Sequence, residues 1–426
     1  MIIRSGKKKL GNLALILALS FYYAVGVLWT GEIMTASQTR YFWALSVLSV
    51  ILIYIINSKG KIPSAKNGLN KLHICLALFI LFALASVLWA ANETRAYSRG
   101  SFVLKIIISM GIISWLMNST GDTRSILKSI EYGGDFSIIY IILSNGVSRM
   151  ISMFRSGSRL TYTGINSNGI GIVAAFSIII AVYFIRKEGI KLTSLLTAPC
   201  AFIVILSVSK KAIFATIFGI ILMLVFDNLD DKKLLNNLLR IVGIIIGSCV
   251  ILYFLLRLPF LFSIQTRIYA MLEGVFKGVR ASGIDTSTLE RIHLNEAGYY
   301  IIRNHPILGV GLDNARYYNT YGVYLHNNYL ELFADLGIVG LVLYYMIYIL
   351  CGSRFIKYRD FNDKEFNICA TLLILILILD IGKVSYYDLE TYYFIVLFYM
   401  ESCLIRKKWM VSDCNISISR INVKAE

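Results

Sequence analysis

A histidine, several arginines and a run of tyrosines fall together in residues 258–333, a long polar stretch in a chain that is otherwise largely apolar. The stretch ends in LHNNYLELFADLG, and the chain turns apolar again at Ile338. Arginine offers two-point hydrogen bonding to phosphate, and lysine offers a compact charge. A histidine titrating near neutrality is the usual proton acceptor. In DNARYYNTYGVY, Arg316 is followed by Tyr317, Tyr318, Tyr321 and Tyr324, whose flat faces suit sugar rings as well as ordinary interfacial packing. Further cations lie where the positive-inside rule disfavours them: Arg149, Arg155 and Arg159 ahead of one apolar run, Lys210 and Lys211 opening another. The phosphates of a lipid-linked substrate are natural partners for such charges. Snorkelling to lipid headgroups is the other reading.

The elements that position these residues follow from composition. The 426 residues are 57% hydrophobic and 16% charged, and apolar runs of about twenty residues recur. The expected fold is therefore an all-α polytopic membrane protein with about twelve transmembrane helices, near 10–29, 40–56, 72–91, 101–118, 126–145, 166–185, 192–208, 211–226, 238–257, 334–352, 366–383 and 388–405. The span at 126–145 is the weakest, because Glu131, Gly133, Gly134 and Asp135 interrupt it. Basic residues concentrate in the short segments 1–9, 57–71, 118–128, 186–191, 227–240, 353–365 and 406–426, which places both termini in the cytoplasm and residues 258–333 outside it. Residues 1–29 have a basic start and an apolar run but no small-residue cleavage pattern, so they are expected to remain as a first span. The division is 1–257 (helices 1–9), 258–333 (extracytoplasmic catalytic loop) and 334–426 (helices 10–12 and a basic tail), forming one integrated membrane domain. The net charge of +17 punctuates apolar runs instead of forming one basic face, which argues against nucleic acid. Seven cysteines include no CxxC pair and read as small buried hydrophobes.

Within the loop, TLERIHLNEAGYYII has helical spacing and RNHPILGVG stops that helix at Pro306. Other histidines have plainer readings: His73 at an interface, His293 on a different helix face from Arg291, His305 shaping the turn. No His/Cys/Asp/Glu cluster has metal-site spacing, and neither a metal nor another cofactor is expected. The glycines of GINSNGIG follow no strand, so they suit helix packing rather than a dinucleotide. Lys105, Glu131, Asp135 and Asp380 in or near spans either relay protons or pair with one another.

The order GINSNGIG, SVSKKA, TLERIHLNEAGYYIIRNHPILGVG and LHNNYLELFADLGIVGL resembles the O-antigen ligase and O-antigen polymerase superfamily of bacterial membrane glycosyltransferases, over roughly residues 160–345. The resemblance implies a metal-independent enzyme of the cytoplasmic membrane that takes a glycan from an undecaprenyl diphosphate carrier. The family's Ser-Arg motif falls on Ser209 and Lys210, with lysine in place of arginine. Its loop-helix arginine falls on Arg291, and its His-Asn histidine on His326. Its Asn-Pro-Asn element falls on Asn166 and Asn168 around Ser167. The resemblance thus makes His326 the base and Arg291 a catalytic cation. Lys210, Arg155, Arg159 and Arg316 are expected to bind diphosphate; Asn166, Asn168, Asn327, Tyr317 and Tyr318 are expected to line the glycan groove. Asn327 or Glu331 orients the imidazole. The expected reaction joins lipid-linked repeat units into O-antigen, capsule or exopolysaccharide, alongside a chain-length regulator and a flippase. Ligase-type transfer to lipid A core, protein or a wall polymer is the alternative, followed by a flippase or transporter for lipid-linked sugars and, last, a non-enzymatic scaffold.

Overall fold

In the computed structural model of the chain, the described residues are 2–30, 36–61, 63, 70–118, 122–155, 167–207, 209–229 and 286–423, with isolated positions at 236, 239, 240, 242, 243, 247 and 265. Among them every regular element is helical. In order these are α1 (Ile2–Thr30), α2 (Ala36–Asn57), α3 (Lys71–Ala85), α4 (Glu93–Asn118), α5 (Thr123–Asn145), α6 (Val147–Arg155) and α7 (Ser167–Glu188). Then follow α8 (Ala198–Leu206), α9 (Lys210–Asp227), α10 (Thr286–Asn304), α11 (Asn328–Lys357), α12 (Lys364–Leu379) and α13 (Leu389–Val423).

Apolar runs of this length satisfy every backbone N–H and C=O internally, which a lipid environment demands. Five helical stretches among the described residues, in α2, in α3 with the 3-10 turn that extends it to Leu88, and in α4, α7 and α11, are long and apolar enough to cross a membrane. The pair α5–α6, bent by 86° at Gly146, is either a broken sixth span or a re-entrant loop. Two further apolar helices, Asn12–Leu28 and Leu192–Leu206, are shorter. The protein is thus an all-helical membrane protein. The expectation of twelve crossings extends beyond this count, and its ninth span, 238–257, lies almost wholly outside the described residues.

Glu131, Gly133, Gly134 and Asp135, which interrupt the apolar run of the weakest expected span, do not break the helix: α5 is continuous. A Cβ on Gly133 would lie 2.7 Å from the Ser20 carbonyl of α1, and one on Gly134 would lie 2.1 Å from Ser177 Oγ of α7. Glycine here lets three helices approach closely. Asp135, fully buried, accepts from Thr197 Oγ1 at 2.9 Å and Cys200 Sγ at 3.2 Å. It is a satisfied interhelical acceptor.

The two ends of the bundle differ. At one end, ion pairs join Arg186 to Asp227 at 3.2 Å, Lys187 to Glu365, Arg124 to Glu188 and Lys408 to Asp363. They tie the ends of α7 and α9 to the starts of α5 and α12. The N-termini of α7 and α9 and the end of α12 therefore lie at the opposite end, with the loop segment 305–327.

Candidate active site

The chain reverses inside α11. In a straight helix, residues 17 apart are separated by about 25 Å at 1.5 Å per residue. Yet Asn328 Nδ2 donates to Tyr345 Oη at 2.8 Å, and the rings of Tyr329 and Tyr345 stack at 4.7 Å. The fold-back is at Gly337, whose φ of 64° and ψ of −171° are open essentially to glycine alone. A Cβ there would lie 2.0 Å from the Ile307 carbonyl oxygen, and one on Gly309 would lie 2.4 Å from Asp335. The LGVG turn crosses the ADLG turn backbone to backbone, with Ile338 N bonded to Pro306 O at 2.9 Å and Gly311 N to Asp335 O at 2.8 Å. The first arm, 328–336, is thereby folded back alongside the second.

That arm carries His326 immediately before its N-cap. Asn327 caps it, accepting from Leu330 N at 3.1 Å, and Glu331 accepts from Leu325 N at 2.6 Å. Both side chains expected to orient the imidazole instead fix the backbone on either side of it. Between them His326 is held at φ 58°, the left-handed region that a non-glycine residue adopts only under constraint. Its ring lies edge-on to Tyr324 at 4.3 Å. Asn328, fully buried, binds the turn after α12: its Oδ1 accepts from Ser385 N at 2.9 Å and Tyr386 N at 3.1 Å, and its Nδ2 reaches Asp380 at 3.3 Å. Asp380 also accepts from Tyr345 Oη at 2.7 Å and Ser385 Oγ at 2.5 Å, which makes it a structural acceptor. Asn328→Ala strands two buried amide protons, at about 1–3 kcal/mol each. The thermal unfolding midpoint in detergent is expected to fall by several degrees together with loss of activity; an unchanged midpoint would show that the network does not hold this arm.

Cations converge on the imidazole. Burial, then the charges of Arg291 and Lys211, push the His326 pKa down to about 4. Arg291 stands in α10, which the Pro306 turn ends as expected, and α10 packs through Leu294 and Ile301 in one cluster with Leu325 ahead of the first arm and Leu330 on it. Lys211 stands in the first turn of α9, where the helix dipole disfavours cations and favours anions. Ser209 caps that helix, accepting from Ala212 N at 3.3 Å, while its Oγ donates to Asn168 Oδ1 at 2.7 Å. Asn168 is thus joined to the Ser-Lys element rather than standing apart from it. The Lys211 side chain lies along Gly382, where an added Cβ would be 3.3 Å from Nζ. The lysine whose charge bears on His326 is therefore the residue after Lys210.

A second cationic group surrounds Asp313, which is 1% exposed. Arg95 Nε donates to it at 2.7 Å, Arg99 Nε at 2.9 Å and Arg316 Nη2 at 2.5 Å. Burial works against the charge of Arg316, but the Asp313 carboxylate outweighs it and raises the pKa. Asp313 also has positive φ, at 56°, because its own N–H and those of Asn314 and Ala315 all donate to Asp335, at 2.8, 3.0 and 2.8 Å. Arg316, expected to bind diphosphate, is thus ion-paired. Tyr317 and Tyr318 are exposed. Arg159 and Asn166 lie outside the described residues, and Arg155 ends α6 without a described side chain. Sequence reasoning missed Arg95 and Arg99, although the charge rule that flagged Arg149 applies equally to them.

His73 bonds Gly111 O at 3.0 Å and helps cap α3, while His293 and His305 are exposed. With this geometry in place, residues 192–345 match the family model described as O-antigen ligase. The match covers α9, α10, the His326 loop and the fold-back, but not α4. No curated protein matches the chain.

Proposed function

We propose, from the place of residues 192–345 in the O-antigen ligase and polymerase superfamily, that this membrane protein is a polysaccharide polymerase acting at the outer face of the bacterial cytoplasmic membrane. The observation that carries the reading is a half-buried imidazole on a constrained backbone, kept neutral, with Arg291 and Lys211 close enough for their charges to act on it. In this reaction the acceptor hydroxyl loses its proton to His326 as its oxygen bonds to the donor's anomeric carbon. The bond from that carbon to the diphosphate oxygen breaks, and undecaprenyl diphosphate leaves with the electron pair. Arg291 and Lys211 offset the charge that grows on the leaving group, in a water-poor site where such charges act strongly. Lys210, Arg155 and Arg159 steer the diphosphate toward them. Asn166, Asn168 and Asn327, with Tyr317 and Tyr318, line the glycan path. A chain-length regulator and a flippase are the partners the reaction calls for.

Twelve crossings, cytoplasmic termini and an extracytoplasmic 258–333 loop complete the reading. Transfer of finished glycan to another acceptor is the second reading, since the same histidine and cations serve either reaction. Deleting the gene and resolving the surface glycan by gel separates them. Wild type is expected to restore a ladder of chain lengths, while Arg291→Ala at normal abundance yields single repeats. Long chains that stay on the carrier would identify a ligase, and full complementation by Arg291→Ala would remove Arg291 from the site.

A further inference from the structure

We infer that Arg95, Arg99 and Arg316, gathered by Asp313, form a second phosphate site that takes the diphosphate of the lipid-linked acceptor. This rests on the polymerase reading, in which donor and acceptor each carry a diphosphate. The donor's diphosphate leaves from the carbon under attack, so it must lie beside the base, with Arg291 and Lys211. The acceptor's diphosphate is at the far end of its repeat unit from the attacking hydroxyl, so its cations must stand apart from the base. The structure has such a set. Asp335, whose carboxylate binds the Asp313 loop, lies about 12 Å along the first arm of α11 from Asn327, at 1.5 Å per residue. The arginines sit at that end, and His326 precedes the other.

The cluster has the chemistry of an anion site. Asp313 is one buried carboxylate shared by three guanidinium groups. Arg95 and Arg99 contact it through Nε, and their terminal nitrogens donate to no group among the described residues. Two guanidinium groups on successive turns of α4, oriented by one carboxylate, present paired donors of the kind that bind phosphate oxygens at two points. Asp335 and Glu331 do not take them up: Asp335 accepts backbone N–H groups of the Asp313 loop, and Glu331 accepts Leu325 N. Arg99 is further held over the Tyr387 ring, its Cζ 4.2 Å from the centroid, and Arg95 is 38% exposed at its side chain, so the set is both fixed and open. An ordinary anionic phospholipid headgroup carries the same phosphate chemistry, and the test distinguishes the two.

The test measures binding of undecaprenyl diphosphate to the full-length protein in phosphatidylcholine nanodiscs by native mass spectrometry. Wild type is expected to bind two equivalents. Arg95→Gln/Arg99→Gln binds one, and Arg95→Lys/Arg99→Lys keeps the second with several-fold weaker affinity. Because Asp313 keeps Arg99 and Arg316 in Arg95→Gln, this single variant retains the fold if the double variant does not, and its second equivalent weakens about tenfold. Two equivalents in a folded Gln variant, or only one in wild type, would overturn the inference. Displacement of the second equivalent by excess phosphatidylglycerol would overturn it too, assigning the arginines to ordinary lipid. Failure of wild type to bind any undecaprenyl diphosphate would instead overturn the polymerase reading on which the inference rests.

Discussion

Gly337→Ala is expected to abolish glycan chain extension and to lower the yield of folded protein. Two penalties act together. The backbone at φ 64°, ψ −171° lies in a region that a Cβ all but forbids, at about 1–3 kcal/mol. The methyl would also fall 2.0 Å from the Ile307 oxygen and 2.5 Å from Leu308 N, both backbone atoms of a turn that Pro306 and Gly309 hold rigid. Neither strand can move away without breaking the bonds from Ile338 N to Pro306 O and from Gly311 N to Asp335 O. Opening the fold-back carries His326 away from Lys211 and Arg291, so activity is lost even in molecules that insert in the membrane. Thermal unfolding and glycan ladders of Gly337→Ala beside Gly352→Ala, which lies in regular helix of α11 where an added Cβ meets nothing within 4 Å, check this. A Gly337→Ala protein with wild-type midpoint and ladder would show that the reversal is not needed.

His326→Ala is expected to cost about 10²–10⁴-fold in rate, the range for loss of a positioned general base. The pH dependence of the wild type is the sharper signature. A base must be neutral to accept a proton, and burial with the nearby charges of Arg291 and Lys211 brings this imidazole to about 4. The free enzyme's kcat/KM should therefore stay level as pH falls from 8 to about 5 and drop only as it approaches 4, whereas an ordinary histidine would lose half its effect near 6.5. A bound diphosphate neutralises the two cations that depress the pKa, so the fall in kcat should come at higher pH than the fall in kcat/KM. Lys211→Gln removes one of those cations and should move the kcat/KM profile upward. A half-point near 6.5 in kcat/KM, unmoved by Lys211→Gln, would mean that these charges do not act on the base.

Much of this was legible in the sequence, where a single local signal decides. Apolar runs of about twenty residues become helices because lipid leaves no other way to satisfy the backbone, and RNHPILGVG ends α10 because proline cannot continue a helix. Which helix ends meet is another matter, since that depends on contacts between segments far apart in the chain. The ADLGIVGL segment reads as the entry to a span, and nothing in its spacing announces that Gly337 turns the chain back on itself. Asp380 reads as one of four charged residues in or near spans that relay protons or pair with one another, yet it belongs to the turn that Asn328 and Tyr345 bind. Lys210 and Lys211 are equivalent by composition; the motif points to Lys210, whereas the approach of the turn at Gly382 brings Lys211 to the site. Arg95 and Arg99 were findable from their charge and position, but their convergence on Asp313, more than 200 residues away, was not.

Whether this protein joins lipid-linked repeat units using His326 is read by supplying the purified, reconstituted enzyme with one undecaprenyl-diphosphate-linked repeat unit and analysing products by mass spectrometry. A product with two units on one carrier is expected, with one free undecaprenyl diphosphate for each linkage made and neither product from folded His326→Ala. Joined units from His326→Ala at the wild-type rate, or no joining by a folded wild-type enzyme supplied with its own host's repeat unit, would contradict it.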